Sequence, residues 1–190
     1  MSLTLRTRRS RVFAGGTLVV ALGAAGILGT VSANAESPRS HPAASSAPAA
    51  DASGRATTTT THLTTAAATR AAQAALDAAQ HAHQKVSVAV VDRDGRTLVT
   101  LRGDGAGPQS YESAVKKAYT AVSWNAPTSD LVERLDSAPT LKDIPGTLFL
   151  AGGAPVTAKG APVAAVGVAG APSGDQDETF AKAGVAALGR

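Results

Sequence analysis

The sequence predicts an α+β domain: an antiparallel five-stranded sheet with helices packed on it. Two observations carry that prediction. The strand-length segments are joined by short Gly-containing turns, which favour antiparallel pairing. The elements run helix, two strands, helices, three strands, helix, an order that suits helices gathered on such a sheet.

Taken in order, Thr64 or Thr65 can cap a helix reaching to about His83, with ten alanines between Ala66 and Ala82. So many small side chains make a thin face that has to pack closely on its neighbours. Val86 to Val91 is an apolar strand, Asp92-Arg93-Asp94-Gly95 turns the chain, and Thr97 to Arg102 brings it back with alternating faces. Residues 103–107 form a loop, and Pro108 suits the first turn of a helix. In that helix Tyr111, Ala114, Val115, Ala118, Tyr119 and Val122 recur at helical spacing, with Lys116 and Lys117 expected on the other side. Pro127 interrupts, and a short helix is expected from Thr128 to about Asp136. Residues 147–151, 154–158 and 162–169 read as three further strands, separated by Gly152-Gly153 and Lys159-Gly160. Asp175, Asp177 and Glu178 open a last helix, where acidic groups suit the positive end of the dipole.

Ahead of this domain, at residues 62–190, two segments of different character are expected. Residues 1–35 read as a cleavable export signal: Arg6, Arg8, Arg9 and Arg11, then the uncharged run 12–31, then Ala33-Asn34-Ala35 as a small-x-small cleavage site. Thr7-Arg8-Arg9-Ser10 fits a twin-arginine start, although Arg11 stands where a large apolar residue is usual. A membrane anchor is the alternative, because about 20 apolar residues span a bilayer. Five glycines in 12–31 and the Ala-x-Ala site argue against it. The expected location is therefore secreted, extracellular or associated with the cell wall. Residues 36–61 hold no Val, Ile, Leu, Met or aromatic side chain and end in five threonines. Nothing there offsets the entropy of ordering, so a disordered tether is expected.

Charge and composition narrow the function. The 18 Lys and Arg residues exceed the 14 Asp and Glu residues, yet four arginines precede the apolar run, and without them 14 basic residues face 14 acidic ones. A neutral domain argues against a nucleic-acid partner. With no cysteine, thiolate catalysis, cysteine-ligated zinc and iron–sulfur clusters are excluded. No G-x-S-x-G elbow, H-E-x-x-H or phosphate-binding G-x-x-x-x-G-K-[ST] occurs.

Three groups of residues remain as candidates. His81 and His83 end the first helix, where they either complement its dipole or ligate a metal or haem iron. Asp130 and Glu133 lie three apart, a spacing that serves either to cap the short helix or to hold a hard cation such as ferric iron. Tyr111, Tyr119 and Trp124 are half of all the aromatic residues and lie within fourteen positions. They suit a core, a flat apolar ligand or a subunit contact.

The stretch from Tyr111 to Ala121 resembles the central helix of the GlcG/HbpS family. The strand and turn from Val88 to Gly95 are similar to the family's apolar strand with its Asp and Gly turn. Pro145-Gly146, Gly152 to Val156 and Val166 to Gly170 resemble its glycine signatures, and the helix opening at Asp175 fits as well. The leader, the tether and Ser123-Trp124-Asn125-Ala126-Pro127-Thr128 are similar to those of the secreted haem-binding members. The resemblance implies a profilin-like fold, assembly into an octamer, and binding of haem b and iron outside the cell. It also implies service as accessory sensor to a membrane histidine kinase of a redox-responsive two-component system. Asp130 and Glu133 are similar to an exposed iron-linked Asp-x-x-Glu pair of the family. Haem-binding members use a threonine as ligand, so Thr120 and Thr128, in the matching region, become the candidates together with Tyr119. An exported haem-degrading enzyme and a structural or adhesive wall-tethered module are the alternatives.

Overall fold

Four helices and four strands follow one another in a computed structural model that describes residues 49–189. The expected export signal and the first part of the expected tether lie outside the described residues. Helix α1 spans Thr65–His81, and Thr64 closes its start by accepting a hydrogen bond at Oγ1 from the Ala67 amide, 3.2 Å. Strands β1, Ser87–Asp92, and β2, Thr97–Arg102, form the expected hairpin. Helix α2, Pro108–Trp124, begins on its proline and ends at Asn125, whose left-handed backbone, φ 50°, stops it. Helix α3, Thr128–Glu133, is shorter than expected, because Arg134–Asp136 tightens into a 3-10 turn. Strands β3, Gly153–Ala158, and β4, Ala161–Ala169, form a second hairpin, and helix α4, Gly174–Ala186, closes the fold.

The sheet is antiparallel with strand order β2-β1-β4-β3, so the two hairpins meet at the β1–β4 pair. Strand β1 is buried along its whole length and β4 from Val163 onward, each on both faces. Their alternate residues divide the core in two. Val88, Val90, Val166 and Val168 face the alanine-rich side of α1 and Phe180 and Ala181 of α4. Ala89, Val91, Ala165 and Ala169 face Ala114, Ala118 and Ala121 of α2. On the α2 side the sheet offers alanine and glycine, and the helix lies close.

The sheet has four strands and not the expected five. Residues 147–151 do not pair with any strand, because their neighbouring amides are taken by side chains. Leu148 N donates to Thr120 Oγ1 at 2.8 Å, and Gly152 N to Glu178 at 3.4 Å. Gly146 and Gly152 have φ of 82° and 134°, so the chain bends at both ends of the segment instead of running straight.

Candidate functional site

A buried polar seam joins α2, α3, the 147–153 connection and the start of α4. Lys117 emerges from the sheet-facing side of α2, where Ala114, Ala118 and Ala121 also lie, and its Nζ reaches Asp177 Oδ2 at 2.7 Å. Both side chains are almost wholly enclosed. Asp177 Oδ1 accepts from the Ala171 amide at 3.0 Å. Burial pushes the Asp177 carboxyl above its usual range, and the Lys117 ammonium and the Ala171 and Gly170 amides draw it only part of the way back.

Glu178, next along α4, is buried as well. It accepts from Ser129 N at 2.9 Å, from Ser129 Oγ at 2.7 Å and from the Lys182 ammonium at 2.8 Å. Burial pushes its carboxyl up, but Lys182 and the two Ser129 donors outweigh that and leave it below the usual range. Lys182 is held above its ordinary value, chiefly by its hydrogen bond to Glu178. Thr128 Oγ1 accepts from the Gly153 amide at 2.7 Å, which fixes the start of β3 on α3.

Above this seam opens a cavity of about 610 Å³. Val132, Leu150, Ala151 and Pro172 give it apolar walls, and Lys117, Glu133, Asp175 and Asp177 give it charge. Three carboxylates face one ammonium, so the lining suits a cation better than an anion.

The residues expected from the sequence are placed unevenly around this centre. Glu133 stands at the cavity lip, and Asp130 is exposed on the same helical turn. The capping alternative for this pair is not what forms. Helix α3 has Pro127 at its cap with no side-chain bond, and the Ser129 amide is taken by Glu178 from across the fold. Thr120 and Thr128 are fully buried and both hydroxyls are engaged, Thr120 donating to Lys116 O while accepting from Leu148 N. Tyr119 is half-buried, with its ring packed against Gly95 and Gly146. His81 and His83 lie elsewhere, at the end of α1. His81 Nδ1 sits 2.7 Å from the Asp77 carbonyl, and His83 lines a small polar cleft with Gln80, Gln84 and Lys85.

The central ion pair was not anticipated. Lys117 was expected on the far side of α2 with Lys116, and it is buried; only Lys116 is turned outward, paired with Glu112 at 2.7 Å. The signal was available, because Lys117 lies three residues after Ala114 and four before Ala121, which puts it on the apolar stripe. Asp177 and Glu178 were read as dipole partners of α4, and of the three acids only Asp175 stays exposed to play that part.

Haem asks for an apolar surface and, by convention, an axial His, Met, Cys or Tyr. None of those residues lines the 610 Å³ cavity, and its carboxylates oppose a propionate-bearing ring. The cavity therefore does not fit haem. Large apolar side chains also stand exposed elsewhere on the described surface, among them Tyr111 at 47% and Ile144 at 42% exposure, with the Tyr111 hydroxyl 3.0 Å from Thr100 Oγ1.

A family model described as haem degrading protein HbpS-like matches residues 63–186. A crystal structure of a double mutant of Streptomyces reticuli HbpS is 71% identical, covers 76% of this chain and 98% of its own, and superposes with a TM-score of 0.73. A crystal structure of HbpS is 72% identical over 74% of this chain and all of its own, again with a TM-score of 0.73. A complex of PduOC with haem is 27% identical, covers 67% of this chain and 95% of its own, and has a TM-score of 0.61. No curated protein matches the chain.

Proposed function

Because the chain belongs to the HbpS-like family, we propose that it is an exported haem- and iron-binding protein. In that reading it serves as accessory sensor for a membrane histidine kinase of a redox-responsive two-component system. The observation that carries the haem reading is the family match across nearly the whole described domain, supported by the 27%-identical PduOC structure that holds haem. Haem b, when bound, supplies a redox-active iron that a sensor can report on. A candidate to hold it is the exposed Tyr111, whose phenol is an oxygen donor of the type that ligates ferric haem. Asp130 and Glu133 are the carboxylates for free iron. Exposed apolar side chains of this size are also what a second copy of the chain would cover in the expected octamer.

Titrating the purified protein with haemin tests this. The expected result is a saturable Soret shift, weakened roughly tenfold by Tyr111→Ala. A featureless titration removes the haem reading. The second reading, an exported haem-degrading enzyme, is favoured by the family's description. It predicts that the Soret band of the saturated protein decays with release of iron when a reductant and oxygen are supplied, whereas a pure sensor keeps it.

A further inference from the structure

Outside the seam and the cavity, one further group of side chains converges. His62, just before α1, meets Asp92 at the end of β1 and Asp94 in the hairpin turn, and each brings a ligand atom within 4.8 Å of the others. None of the three lines the 610 Å³ cavity.

Two features separate this group from a chance meeting of exposed acids. First, Asp92 is only 5% exposed. Its Oδ1 accepts from Asp94 N at 2.9 Å and from Arg96 N at 2.8 Å, which fixes the carboxylate, while no described residue donates to its second oxygen. Among the described residues no fully buried side-chain oxygen lacks a partner, so this second oxygen reaches the surface and is open to a ligand from outside. Second, His62 Nε2 stands 3.7 Å from Asp94 Oδ2. That is too long for a good hydrogen bond. It is close to the separation of two ligands on one tetrahedral ion, about 3.4 Å when each is about 2.1 Å from the metal. Arg93 and Arg96 flank the turn, yet neither forms an ion pair with these carboxylates among the described residues.

We propose that His62, Asp92 and Asp94 form a binding site for a divalent transition-metal ion of the zinc type, with water completing the shell. One imidazole and two carboxylates suit such an ion, whereas calcium and magnesium prefer oxygen throughout. The bound ion ties the segment entering α1 to the tip of the β1–β2 hairpin, so it fastens the end of the expected tether to the domain.

The test is calorimetric titration of the tag-free protein with Zn²⁺, together with its thermal stability with and without the metal. One equivalent is expected to bind and raise the melting temperature. His62→Ala and Asp94→Asn, both at exposed positions, are each expected to weaken binding more than about tenfold. Asp130→Asn with Glu133→Gln is expected to leave it unchanged, which separates this site from the proposed iron carboxylates. Absence of saturable Zn²⁺ binding, or binding that survives in the His62→Ala/Asp94→Asn double variant, overturns the proposal.

Discussion

Replacing Lys117 with methionine is expected to destabilise the domain by about 3–5 kcal/mol, a large share of the total stability of an ordinary domain. The cause is not the lost attraction as such. Lys117 and Asp177 are both enclosed, and they touch at 2.7 Å. Removing the ammonium leaves an almost wholly enclosed carboxylate without its charged partner. Asp177 already sits above the usual carboxyl range because of burial, and Lys117 is the foremost influence drawing it down; without it the carboxyl rises further. A carboxyl raised in the folded state above its unfolded value favours folding fully only below the unfolded value, and that contribution is lost as the pH climbs through the folded one. Lys117→Met is therefore expected to be least stable, relative to the parent, near neutral pH, and to recover as the solution is acidified through the carboxylate range. Urea unfolding at several pH values reads this. The double variant Lys117→Met/Asp177→Asn no longer carries the stranded charge and is expected to regain part of the loss at neutral pH.

A comparable loss is expected from one added methyl group where α2 lies on the sheet, at Gly167 of β4. Substituting alanine for glycine in a strand ordinarily helps, since the unfolded chain has fewer states to lose. Here a Cβ would overlap the Ala114 carbonyl oxygen and lie 2.5 Å from the Ala118 amide nitrogen, both backbone atoms of α2. Backbone cannot turn aside as a flexible side chain can, so the helix has to lift off the sheet and open the layer formed by Ala89, Val91 and Ala165. Overpacking of this kind costs about 3 kcal/mol or more, or roughly 10 °C in melting temperature. Gly54→Ala is the control, because nothing lies within 4 Å of a Cβ there, and no change is expected.

Much of the fold was legible because the residues that build it obey local rules. The β1–β2 hairpin follows from alternating apolar residues around Asp92-Arg93-Asp94-Gly95, and α2 from Pro108 and the spacing Tyr111, Ala114, Ala118, Val122. Residues 147–151 were misread as a strand for a reason no local pattern carries. Leu148 and Phe149 have strand-like side chains, but the Leu148 amide goes to Thr120, 28 positions earlier, and the Gly152 amide to Glu178, 26 positions later. Long-range capture of backbone donors overrides local preference.

The geometry of the site was less legible than the fold. Glu133 is read from the sequence only with Asp130, as a cap or a cation pair, and nothing local announces the cavity that it and Asp175 line, Asp175 being read there as a helix-dipole partner. Thr120 and Thr128 attracted attention through resemblance, and their burial shows a mechanical role that resemblance does not exclude: they hold Leu148 and Gly153 in place. Lys117 was missed because a charged residue is by default assigned to solvent. Its partner Asp177 lies 60 positions away, and only the folded chain reveals that the charge is matched.

Sedimentation of the purified protein with haemin, followed at the Soret band and at the protein band together, tests the central claim most directly. The account predicts a haem-coloured boundary that travels with the protein as a multimer of the chain. Haem that stays behind while the protein sediments alone would contradict it.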